Sequence, residues 1–140
     1  MKKAFCFIIL SLLAGCQTPN YPIVHFPGNE YRHILWTLEE QEKNVAVRQI
    51  YRSNDSSVHL MRLKGREFPH YHDKHDLQAT IISGESTIHF KDRKVSLSPG
   101  DIIFIPKGSY HWVENKHPVA TEIFAVFSPA FDGKDRRKVH

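Results

Sequence analysis

The chain is poor in cysteine. Of its 140 residues only Cys6 and Cys16 carry a thiol. From residue 17 onward, therefore, neither a disulfide framework nor a cysteine-based zinc site can form. It also lacks a hydrophobic run long enough to span a membrane. The longest, Ala4 to Leu13, is about ten residues and is interrupted by Ser11, whereas a ~30 Å hydrocarbon core needs about 20. Strong charge of one sign is missing too: 19 Lys plus Arg stand against 15 Asp plus Glu, a formal +4. No concentrated basic face is present, which argues against a nucleic-acid partner. The basic cluster Lys134-Asp135-Arg136-Arg137-Lys138 reads as a solvated C-terminal tail, with contact to anionic phospholipid head groups as the alternative. There is no fixed repeat, no low-complexity segment, no Gly-rich phosphate loop, and around Ser83 and Ser86 no nucleophile elbow. What is present is an ordinary globular balance, 41% apolar and 24% charged, with 11% aromatics and ten histidines. That suits one domain able to bury its own core. Histidine placement carries most of the remaining information, because imidazole both ligates metals and carries protons near neutral pH.

The first segment has the form of a targeting signal. Met1-Lys2-Lys3 is a positive start, the apolar run follows, and it ends in Leu13-Ala14-Gly15-Cys16. This ending resembles a bacterial lipobox, which implies a signal peptide over residues 1–15 and a diacylglycerol on the Cys16 thiol. Losing Lys2 and Lys3 leaves 17 basic against 15 acidic residues, a net +2. Gln17, rather than Asp, follows the cysteine, which favours the periplasmic face of the outer membrane. Further acylation of the new N-terminus would supply the second signal that stable anchoring needs.

Residues 16–28 contain Pro19, Pro22 and Pro27 and read as an extended tether. Residues 29–44 read as a packing segment. Asn29 can cap a short helix whose Tyr31, Ile34, Leu35 and Leu38 recur at helical spacing. Residues 45–128 then carry short β-type runs separated by turns: Val45–Arg52, Ser57–Lys64, Leu77–Ser83, Ser86–Lys91, Arg93–Leu97, Ile102–Ile105, His111–Glu114 and Thr121–Phe127. Eight strands at this spacing predict an all-β sandwich or barrel, and residues 129–140 remain as the tail.

Two histidine-bearing stretches stand out. In Gly65-Arg-Glu-Phe-Pro-His70-Tyr-His72, residues i and i+2 of an extended chain project to one side, so His70 and His72 can share an ion. In Gly100-Asp-Ile-Ile-Phe-Ile-Pro106-Lys-Gly108-Ser-Tyr-His111-Trp-Val-Glu-Asn115, a strand ends in a Pro/Gly turn that presents His111 at the start of the next strand. Three imidazoles suit one divalent transition metal, Fe, Mn, Zn, Ni or Cu, with open positions for water or substrate.

These residues resemble the cupin superfamily. The second cupin motif, Gly-x5-Pro-x-Gly-x2-His-x3-Asn, is matched throughout by Gly100, Pro106, Gly108, His111 and Asn115. The first, Gly-x5-His-x-His-x(3,4)-Glu-x6-Gly, is matched in type by Gly65, His70, His72 and Gly84. The resemblance covers about Val45 to Phe127 and implies a cupin double-stranded β-helix, a jelly-roll barrel. More narrowly, the chain is similar to small single-domain cupins of type-2 kind whose last strand ends in a segment like Phe127 to Gly133. Two departures matter. Gly65 lies one residue nearer the histidines than in the motif. Where the family has its glutamate ligand, this chain has either Asp76 or Leu77, depending on whether one counts from His72 or from Gly84. If Leu77 points inward, the site is three-histidine. If a bulge turns Asp76 inward, Asp76 is a ligand or hydrogen-bonds one.

Around the site, Leu77, Phe104, Tyr110 and Asn115 are pocket candidates, and Asn115 is also expected to brace its turn. His75 is expected on the exposed approach. His25, His33, His59, His89, His117 and His140 match no motif and are expected to be structural or solvated. No catalytic residue is assigned, and the only candidate general bases are Asp76 and Glu114. The resemblance implies a metal-dependent dioxygenase or isomerase acting on a small molecule in the barrel. The alternatives are a non-catalytic small-molecule or sugar binder and a structural envelope lipoprotein. A homodimer is left open.

Overall fold

Alternation of apolar and polar residues buries one face of each strand, and two such faces must cover each other. The computed structural model, which describes residues 22–25 and 31–139, shows how this is met. The targeting segment, Cys16 and Asn29 lie outside the described residues. The chain divides between Leu35 and Trp36 into two units. In the first, β1 (Ile23–His25) pairs antiparallel with β2 (Tyr31–His33), and Ile34 N donates to Pro22 O at 3.1 Å. Part of the expected tether is therefore paired strand. The helix expected from Asn29 onward is strand over Tyr31–His33. A helix does form later, as α1 (Leu38–Glu42). Thr37, not Asn29, caps it: the Thr37 hydroxyl accepts Glu40 N while the Glu40 carboxylate accepts Thr37 N, a reciprocal capping box.

The second unit is a two-sheet jelly roll. One sheet has the order β3 (Val45–Arg52), β4 (Ser57–Leu63), β11 (Thr121–Ser128), β6 (Asp76–Ser83) and β9 (Ile102–Ile105). The other has the order β12 (Arg137–Lys138), β5 (His70–Tyr71), β10 (His111–Glu114), β7 (Ser86–Phe90) and β8 (Lys94–Leu97). All described pairings are antiparallel. Leu63, Ile81, Ile105 and Ile123 from the first sheet meet Ile88, Leu97 and Val113 from the second to form the core.

The same inward faces enclose a cavity of about 480 Å³, whose wall includes the core residues Ile81, Ile88, Ile105 and Ile123. Gly84, in the β6–β7 hairpin, has φ of 75°, and a Cβ there would fall 2.6 Å from Ala120 O, so no other residue fits this turn without displacement. The tail expected to be solvated does expose Lys134, Arg137 and Lys138, but it is also tied down: Arg137 and Lys138 form β12 and pair with Tyr71 and His70 of β5, and Asp135 is buried.

Candidate metal centre

His70 and His111 are directly opposed across the β5–β10 pair. His72 follows two residues after His70, and its backbone O accepts Gly108 N at 2.6 Å, which ties the Pro106–Gly108 turn to the first histidine stretch. The three rings converge, with centroids 4.5, 4.9 and 5.5 Å apart, and all three residues are buried. Each Nδ1–H is committed to a backbone carbonyl: His70 donates to Phe68 O at 2.8 Å, His111 to Ser109 O at 3.0 Å, and His72 to Asp135 O. These bonds fix the tautomer and leave every Nε2 lone pair free. One ligand atom from each of the three lies within 4.8 Å of the others.

Burial disfavours the charged form of all three imidazoles. It lowers His70 to about 3, helped by the charge of Arg136, and His111 to about 4, and it lowers His72 as well. Three neutral, pre-oriented imidazoles facing a cavity fit one divalent transition ion.

The carboxylate question resolves by strand parity. Leu77 pairs with Ile105 and lines the cavity, as do Ala79 and Ile81 beyond it. Asp76 lies exposed on the opposite face, where its Oδ1 accepts Lys107 N at 2.9 Å. Asp76 is thus not brought to the histidines. Parity also corrects two pocket candidates. Phe104 is 70% exposed while its neighbours Ile103 and Ile105 line the cavity, and Tyr110 packs against Tyr71 at 5.6 Å instead. Asn115 does not line the cavity. It braces the chain by donating to Leu63 O and Val119 O and accepting His117 N. Glu114 faces away from the cavity, bonded to His89 and Lys116.

The larger surprise is the support behind His72. His75, expected to be exposed, is 3% exposed, and both its ring nitrogens face acceptors, Asp135 Oδ2 at 2.5 Å and Ala130 O at 3.2 Å. The Asp135 carboxylate also accepts Asp73 N and Lys74 N, at 3.0 and 2.8 Å. Burial pushes this carboxyl up, but the bonds from His75 and the two backbone N–H groups outweigh it and hold it at about 2. Arg136 reaches Glu67 at 2.8 Å, and Glu67 Oε2 accepts Val113 N at 3.3 Å. Burial raises the Glu67 pKa against the pull of Arg136. Asp135 was the one acidic residue inside a basic run, a signal that this segment has a partner. Glu67 and Arg136 carried no comparable signal.

A jelly roll with three histidines placed at these two motifs is accompanied by a family match: the cupin domain, over residues 59–127. Residues 59–127 are a cupin domain. An uncharacterized protein of Aquifex aeolicus is 33% identical over 120 residues, covering 84% of this cupin and 98% of that protein. Solved structures share the fold. KdgF from a Halomonas species has a TM-score of 0.60 at 23% identity, over 66% of this chain and 86% of its own. A cupin-2 domain protein from Shewanella frigidimarina has a TM-score of 0.53 at 27% identity, over 58% and 78%. Pac13 from Streptomyces, a nucleoside dehydratase, has a TM-score of 0.62 at 16% identity, over 78% and 92%.

Proposed function

We propose that this cupin is a lipid-anchored protein of the bacterial envelope, held at Cys16 on the periplasmic face of the outer membrane. In this reading it binds one divalent transition metal through His70, His72 and His111 and takes a small molecule into the adjoining cavity. The observation that carries the metal reading is the set of three free Nε2 lone pairs whose Nδ1 partners are all carbonyl oxygens. The cavity's mostly apolar lining and its size, about 480 Å³, suit a small organic ligand. The lipid anchor rests on Leu13-Ala14-Gly15-Cys16 after a charged start and an apolar run.

A bound ion would supply Lewis acidity or, if redox-active, oxygen chemistry, which fits a dioxygenase or an isomerase. The protein's own part is to hold neutral imidazoles in place and to shield the site behind Phe127 and Phe131, whose rings stack at 4.7 Å. Sharing a fold with a nucleoside dehydratase does not choose the chemistry. A second reading, a non-catalytic small-molecule or sugar binder, is favoured by Glu67, whose two oxygens are already engaged by Arg136 and Val113 N.

Elemental analysis of purified protein tests the metal. About one ion per chain is expected in wild type and in His117→Ala; none in wild type would refute it. Cell fractionation tests the anchor: Cys16→Ser should leave the membrane, and a variant held as firmly as wild type would refute it.

A further inference from the structure

Across Phe127 and Phe131 from His72, the cavity wall carries polar groups that the three-histidine centre does not use. His59 lines the cavity and is 6% exposed. Its ring is set edge-on to Phe127 and Phe131, with centroids at 5.3 and 6.2 Å. Its Nε2 lies 2.9 Å from Ser57 Oγ. That oxygen already accepts Phe131 N–H at 2.9 Å, and Ser57 is fully buried. Among the described residues the hydroxyl proton has no other acceptor, so Ser57 donates to His59 Nε2. The imidazole proton is thereby placed on Nδ1. Nδ1 has no partner among the described residues, yet it is not one of the sealed, unpartnered atoms. It is a donor open to the cavity. Burial, then the nearby charge of Arg52, lower the His59 pKa, which keeps the ring neutral at neutral pH.

Arg52 reaches the cavity wall near His59 through a backbone irregularity. Gln49 pairs with His59, but the register shifts before Tyr51, so Arg52 pairs with Ser57. Without that bulge, three residues beyond the inward-facing Gln49, Arg52 would point out; with it, Arg52 lines the cavity. One Nη–H donates to Phe131 O at 2.6 Å, which leaves other guanidinium donors without partners among the described residues. Of the two carboxylates on the cavity wall, Glu67 is held by Arg136, and Asp132 has Oδ1 held by Lys134 N and Asp135 N.

We propose that His59 and Arg52 form a carboxylate-binding subsite, so that the cavity takes a small organic acid whose anionic group lies away from the metal centre. One carboxylate oxygen accepts from His59 Nδ1–H and the other from the Arg52 guanidinium. The apolar body lies along Ala125 and Ala79 toward Leu77. One neutral donor beside one cation matches a monoanion with two acceptor oxygens better than a phosphate dianion. The proposal rests on the small-molecule reading above and names the ligand class.

The test uses benzoate, with benzamide as the uncharged control, titrated into zinc-loaded and metal-free protein and followed by protein NMR. Benzoate should bind both forms, benzamide about tenfold more weakly or worse, and the His59 ring nitrogen shifts should move. His59→Phe and Arg52→Met should each weaken benzoate by roughly tenfold or more, as loss of a charge-assisted hydrogen bond does, with zinc stoichiometry unchanged. Arg52 is exposed, so its variant decides the matter if His59→Phe does not fold. Benzoate binding that vanishes with the metal and ignores both variants would place the carboxylate on the ion and overturn the subsite while sparing the small-molecule reading. No binding of acetate, hexanoate or benzoate to either form would overturn it as well. Absence of zinc uptake would instead count against the metal centre alone.

Discussion

Two parts of the cavity wall hold buried histidines in opposite states of readiness. At the metal centre every Nδ1–H is committed to a carbonyl and every Nε2 is bare, so the site offers only acceptor lone pairs. Across Phe127 and Phe131, Ser57 fills Nε2 of His59 and the donor faces the cavity. The same side chain, buried in both places, presents a lone pair in one and an N–H in the other, according to which ring nitrogen the protein satisfies first. That contrast generates the predictions.

The largest effect is expected from removing a ligand. His70→Ala or His111→Ala should cost more metal affinity than the roughly 10–100-fold typical of losing a supporting group, read by competition with a chromophoric chelator. Next comes the support itself. Asp135→Ala frees His75 and the Asp73–Lys74 backbone and loosens the carbonyl that orients His72. An affinity loss of about 10–100-fold is expected, against almost none for Asp76→Asn, whose carboxylate only meets Lys107 N. Equal losses in the two variants would erase the distinction between them.

The third prediction concerns pH. His70 and His111 titrate at about 3 and about 4 in the folded protein, below the ordinary 6.5. The unfolded chain therefore binds protons first as pH falls. Their contribution to stability is complete above about pH 6.5 and is lost as pH falls toward 4 and 3, by up to about 1.4 kcal/mol per pH unit for each imidazole. Denaturant melts of metal-free protein between pH 7 and 4 check this, and a flat profile would contradict it. An unperturbed imidazole would release a metal below about pH 6; here that loss should come at lower pH for the same reason.

The smallest effect is expected at the ring the two sites share. Phe131 stacks on Phe127 and edges both His59 and His72. Phe131→Ala should cost about 2 kcal/mol, less than a fully buried phenylalanine, and should weaken benzoate and metal together. An effect on one alone would show that the two sites are independent.

Eight strands were legible because β-branched and apolar runs alternate with Gly, Pro, Asn and Asp breaks, and their observed ends fall within about one residue of those expected, whereas the short β1, β2, β5 and β12 carry too few residues to show a pattern. The three histidines were legible because two local motifs carry them. What could not be read is whatever depends on distant partners or on parity among like residues. Ile102, Ile103, Phe104 and Ile105 are all apolar, so composition cannot say which pair faces in; packing selects Ile103 and Ile105. The helix start was misplaced because apolar spacing in Tyr31–Leu38 fits either period, and the capping box at Thr37 outweighs it. The charged segment near residue 135 looked solvated because its partners, Glu67, Asp73 and His75, lie about sixty residues earlier.

The carbonyl-anchored imidazoles have one more consequence, for the proton inventory of metal loading. Ordinarily a cation entering a histidine site must first displace protons, and the surrounding buffer absorbs them. Here folding has already excluded them, since two of the rings titrate near 3 and 4. Uptake at neutral pH therefore displaces almost no protons from these rings, and the part of its calorimetric heat that depends on buffer ionisation enthalpy should be small, any remainder reporting ionisation of water on the ion. The cost of emptying the site of protons is met once, when the chain folds, and does not recur each time an ion arrives.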